Sequence, residues 1–122
     1  RRTVGQLLVA AQAFREQRRR EAERKATEAK VRQERLAAIA REKHLDALAG
    51  KESELWTKVE ELVATKQPKS YDLAIQHLVD LRDLAFRKGA ESDFSRRLTV
   101  FREEHSRKPS LIGRLQQKGL RT

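Results

Sequence analysis

Cysteine and methionine are absent from this 122-residue chain, proline occurs twice and glycine five times. Without cysteine there is no disulfide framework and no thiolate metal site. A cytoplasmic location fits a chain built without disulfides. So few prolines and glycines leave little to interrupt a helix. No methionine precedes Arg1, which reads as a fragment or processed piece of a larger protein. Long hydrophobic runs are missing too. The run Leu7, Leu8, Val9, Ala10 and Ala11 is too short to span a bilayer, and nothing near it resembles a secretory leader. No membrane partner is expected.

Catalytic signatures are equally scarce. There is no glycine-rich phosphate loop of the Walker or dinucleotide type. His44, His77 and His105 are scattered, with no His-x3-His pair. The adjacent acids Glu60-Glu61 and Glu103-Glu104 cannot face each other on a helix and read as surface charge. His105 reads as a half-buried packing residue, and His77 lies beside a core face. The expectation is a protein that is not an enzyme, with no catalytic residue, cofactor, metal or small-molecule substrate.

What the chain does have is charge. Charged residues are 38% and hydrophobic residues also 38%, with a net charge of +10. That balance suits long exposed helices better than a thick core. The excess is spread out: Arg1–Gly50 carries 13 basic and 7 acidic residues, and Lys51–Thr122 carries 15 and 11.

The widest apolar stripe is YDLAIQHLVDLRDLAFR, Tyr71–Arg87. Tyr71, Ala74, Ile75, Leu78, Leu81 and Ala85 recur at three- and four-residue steps, with Leu73, Leu84 and Phe86 widening the face. This helix is the expected centre of the core. Ser70 is positioned to cap it, after a loop from Thr65 to Ser70, and Gly89 to end it. Ahead of it, Val4, Leu7, Leu8, Ala11 and Phe14 share a helical face. Arg15–Arg35 is nearly all charged or alanine, with favourable pairs Glu16→Arg20, Glu21→Lys25 and Glu28→Arg32. Val31, Ala38, Leu45, Leu48, Leu55, Val59 and Leu62 form a narrow seam running through Gly50. It predicts one long helix, or two collinear helices bending at Gly50. After Gly89, Phe94, Leu98, Phe101 and His105 mark another helix, with Arg97 and Val100 beside its face. Pro109 opens a short one with Leu111, Ile112 and Leu115 inward, closed by Gly119-Leu120.

The fold class is therefore all-α. A charged helical rod over residues 1–50 runs into a small antiparallel helical bundle over residues 51–122.

Several segments together resemble a known family. These are LWTKVEELV, a Pro/Lys/Ser loop, YDLAIQHLVDLRDLAFRKG, F-x3-L-x2-F-R-x2-H-x-R-K and L-x3-L-x3-GL. Over about Ala40–Leu120 the pattern, with Arg82, His105, Lys108 and Gly119, is similar to the C-terminal helical tail of bacterial SWIM zinc-finger proteins. The family's C-x-C…C-x-H ligand set is absent here. The resemblance implies that the metal site lies upstream of this sequence.

Two binding functions remain. The first is a helical interaction or scaffold module that meets a protein partner, or a second copy, through Leu7, Leu8, Ala11 and Phe14. The alternative is weak, salt-sensitive, non-sequence-specific nucleic-acid binding. It would use Arg18, Arg19, Arg20, Arg24, Lys25, Arg96, Arg97, Arg107 and Lys108.

Overall fold

The computed structural model describes Thr3–Leu120. Arg1, Arg2, Arg121 and Thr122, which the two expected domains include, lie outside the described residues. Five helices and no strand occur among the described residues: α1 (Val4–Leu48), α2 (Glu52–Ala64), α3 (Pro68–Lys88), α4 (Glu91–Glu104) and α5 (Pro109–Gln117). The all-α class and the long charged helix ahead of shorter packed helices are as the sequence predicts. By its internal contacts the chain divides into two units, Arg1–Lys43 and His44–Thr122.

The first unit holds the greater part of α1. That helix has 45 residues and so runs for about 68 Å at 1.5 Å per residue. Its start is tied by a reciprocal cap. The Gln6 amide donates to Thr3 Oγ1 at 3.2 Å, and the Thr3 amide donates to Gln6 Oε1 at 2.9 Å. Two otherwise unpaired amides are thereby satisfied. Among the described residues of α1 only Leu45 is buried. High helix propensity and local ion pairs sustain the rest.

The second unit is built around α3, which packs against α2, α4 and α5. Its inward face carries Tyr71, Ala74, Ile75, Leu78, Leu81 and Leu84. These meet Leu45 of α1, Leu55, Trp56, Val59 and Val63 of α2, and Leu98 and Phe101 of α4. Leu111, Leu115 and Leu120 complete the core from the C-terminal side. Trp56 stacks obliquely on Phe94 and edge-on to Phe101, with ring centroids 6.0 and 6.2 Å apart.

Several local expectations change. The seam does not pass unbroken through Gly50. That residue has φ 84°, a left-handed conformation open to glycine at little steric cost. It ends α1, and α2 restarts at Glu52. The turn brings Leu45 and Leu55 into one core, whereas Val31 and Ala38 stay exposed. Ser70 does not cap α3. The helix begins two residues earlier with Pro68 at its first position and Gln67 before it, because proline's fixed φ suits that position and its missing N–H costs nothing there. Leu73 and Val100 are exposed, and so is Phe86 at 73%, so the α3 face is narrower than its hydrophobic content suggests.

Both glycine stops form as read. Gly89 lies at φ 69° and the Ala90 amide returns to the Ala85 carbonyl at 2.8 Å. Gly119, also at φ 69°, lets the Leu120 amide reach the Leu115 carbonyl at 2.9 Å and buries Leu120.

Candidate functional site

The start of α1 presents apolar side chains to solvent. Leu7, Leu8 and Phe14 are all more than half exposed, at 53%, 57% and 62%, and Ala11 lies among them, also exposed. Val4 and Val9 are exposed as well. Val9, Ala10 and Ala13 extend the apolar surface beyond the single stripe read from Val4, Leu7, Leu8, Ala11 and Phe14. No charged side chain occurs from Val4 to Phe14. A contiguous apolar surface of this kind ordinarily marks a contact face.

Basic residues follow directly. The Arg18 guanidinium lies 5.7 Å from the Phe14 ring centroid, within reach of a cation–π contact. Glu16 draws in Arg19 at 2.6 Å and Arg20 at 3.4 Å, the latter one of the three pairs expected, and Arg19 also faces Glu23 at 3.9 Å. Arg24 and Lys25 are exposed. Residues 1–43 carry thirteen basic against six acidic side chains, and residues 44–122 carry fifteen against twelve. The first unit therefore holds +7 of the +10.

The basic residues of the second unit do not form one face. Arg96 is bound to Asp93 at 2.6 Å. The Arg97 guanidinium caps the Trp56 ring at 4.4 Å, so its charge shields the edge of the core. Arg107 and Lys108 instead line a cleft with Lys66, Tyr71, Pro109 and Ser110.

Two polar clusters escaped the sequence reading. Glu60, Glu104 and His105 have ligand atoms within 4.8 Å of one another. Glu60 sits on α2 and His105 at the end of α4, 45 residues apart, so no spacing rule links them. His105 Nε2 lies 3.3 Å from Glu60 Oε2, and Lys108 Nζ lies 2.8 Å from His105 Nδ1. An ammonium only donates, so Nδ1 accepts and the ring proton sits on Nε2, facing Glu60. The arrangement is a hydrogen-bonded tie between α2 and the α4–α5 turn. The half-buried His105 ring also packs on Phe101 with centroids 4.6 Å apart.

The other cluster surrounds Asp80, a buried carboxylate at 6% exposure. His44 Nε2 lies 3.0 Å from Asp80 Oδ2, which ties the last turn of α1 to α3. Burial lowers the pKa of the neighbouring His77 below its ordinary 6.5, against the pull of Asp80, while Lys58 and His44 push the same way as burial. A hydrogen bond from Lys88 is the main reason that Glu52 lies below the usual carboxylate value.

No helix among the described residues is long and apolar enough to cross a membrane. No family model, curated protein or solved structure matches the chain.

Proposed function

We propose that the chain is a non-catalytic helical interaction module that holds a protein partner, or a second copy, through the start of α1. Leu7, Leu8, Ala11 and Phe14 are the contact residues. The observation that carries this reading is the exposed, uncharged stretch Val4–Phe14, held helical by its own cap. Amphipathic and apolar helices dock by laying such side chains into a groove on a partner. The bundle of the second unit serves as the folded body that carries the helix. A cytoplasmic location, and a place behind the metal-binding finger of a SWIM protein, belong to the same proposal.

Sedimentation velocity and partner capture with the Leu8→Asp/Phe14→Asp double variant test it. Association is expected to disappear while the thermal transition of the bundle is unchanged. Retained assembly in that variant would refute the reading.

The net charge of the first unit favours a second reading, phosphate-backbone binding along α1. Pairing of Arg19 and Arg20 with Glu16 counts against it, because those cations are partly neutralised. Reversal of Arg18, Arg19 and Arg20 to glutamate separates the two. It should abolish salt-sensitive DNA or RNA binding under this second reading, and leave partner capture nearly unchanged under the first.

A further inference from the structure

The cleft on the second unit gathers three cations from two separate turns. Lys66 sits in the α2–α3 turn at φ 59°, and Arg107 and Lys108 come from the α4–α5 turn. With Tyr71, Pro109 and Ser110 they enclose about 470 Å³. No carboxylate of the described residues lines this space. Neither Lys66 nor Arg107 has an ion-pair or hydrogen-bond partner for its side chain among the described residues. Lys108 gives one of its three N–H donors to His105, and two remain.

Neutral donors converge on the same space. Helix α5 starts there, with Lys108 before it, Pro109 at its first position and no side chain capping it. Proline brings no N–H, so the Ser110 amide is the first open donor at the positive end of the helix. Arg114 donates to Ser110 Oγ, which leaves the serine's own hydrogen free to point elsewhere. Tyr71 is the independent sign of a ligand. The residue is buried, at 7% exposure, yet lines the cleft. Its hydroxyl has no hydrogen-bond partner among the described residues, and its oxygen is not sealed from solvent.

We propose that this cleft binds a phosphate dianion, either free orthophosphate or a phosphomonoester group. Three cations and up to three neutral donors suit a tetrahedral dianion better than a carboxylate, which has only two oxygens to receive them. The Tyr71 hydroxyl supplies the hydrogen bond that orients the anion, and Lys66 and Arg107 supply most of the charge. The site is independent of the α1 contact face.

Calorimetric titration of the full chain with orthophosphate, at ionic strength held constant with chloride, tests the proposal. Saturable binding at one site is expected. Lys66→Gln with Arg107→Gln should weaken it by about tenfold or more, since each removes a charge-assisted contact. Tyr71→Phe should weaken it several-fold with the melting temperature unchanged, because only an unpartnered hydroxyl is lost. O-phosphoserine identifies the source: tighter binding than orthophosphate assigns the cleft to a phosphomonoester, and weaker binding assigns it to the free anion. No saturable binding of either ligand, or equal affinity in the double variant, would overturn the proposal. So would a single-stranded oligonucleotide that displaces orthophosphate and binds Tyr71→Phe and the double variant undiminished.

Discussion

His77 sits partly buried on α3, three residues before Asp80, and its proton affinity is pushed down chiefly by burial. The sign of the resulting pH dependence follows from linkage. Below the ordinary imidazole value the unfolded chain takes up a proton that the folded chain resists, so stability is full above 6.5 and falls as pH drops through the lowered folded value. Urea unfolding between about pH 7 and pH 5 should show this loss. His77→Gln should flatten the profile over the same range. An identical slope in the variant would assign the acid sensitivity to another group. Glu52 acts lower on the scale. Its folded value is depressed by Lys88, so its contribution is present above 4.5 and is lost on further acidification.

At the level of the elements, the turn between α1 and α2 and the body of α3 make separate demands. A methyl group placed on Gly50 meets nothing within 4 Å, so Gly50→Ala tests backbone conformation alone. The left-handed φ should cost roughly 1–2 kcal/mol in chemical denaturation. If α1 and α2 instead fused through residue 50, helical circular dichroism would rise and Leu45 would leave the core. Leu78, fully buried on α3, is the matching packing test. Leu78→Ala should cost about 2–5 kcal/mol, because the cavity left at the centre of three contacting helices has little room to collapse. A loss well under 1 kcal/mol would show that α3 is not the hub.

For the molecule as a whole, the division between Lys43 and His44 predicts what can be removed. Residues 44–122 should melt cooperatively close to the full-length midpoint. A piece cut to Leu55–Leu120 loses Leu45, Leu48 and the His44–Asp80 bond and should melt lower. Equal midpoints would mean that the last turn of α1 adds nothing. Much of this architecture was legible in the sequence. The spacing from Tyr71 to Ala85, Pro109 at a helix start, and Gly89 and Gly119 at helix ends each carry a local rule. The break at Gly50 was legible only as one of two alternatives, because a short turn can preserve a 3-4 spacing while redirecting the chain. The clusters around His105 and Tyr71 were not legible. Glu60 meets His105, and Lys66 shares a cleft with Arg107, only because separate turns are packed together.

The exposed length of α1 also sets a clock. Its hydrogen bonds from Val4 to about Lys43 are guarded by no buried side chain. Their amides should therefore exchange with deuterium through local fraying, without the bundle opening. Those facing the core on α3 should wait for near-global unfolding. Pulsed exchange read by mass spectrometry would then resolve two isotopic envelopes. The first unit should be labelled within seconds to minutes, the second orders of magnitude later. A ligand seated on α1 would register as a slowing of the first envelope alone.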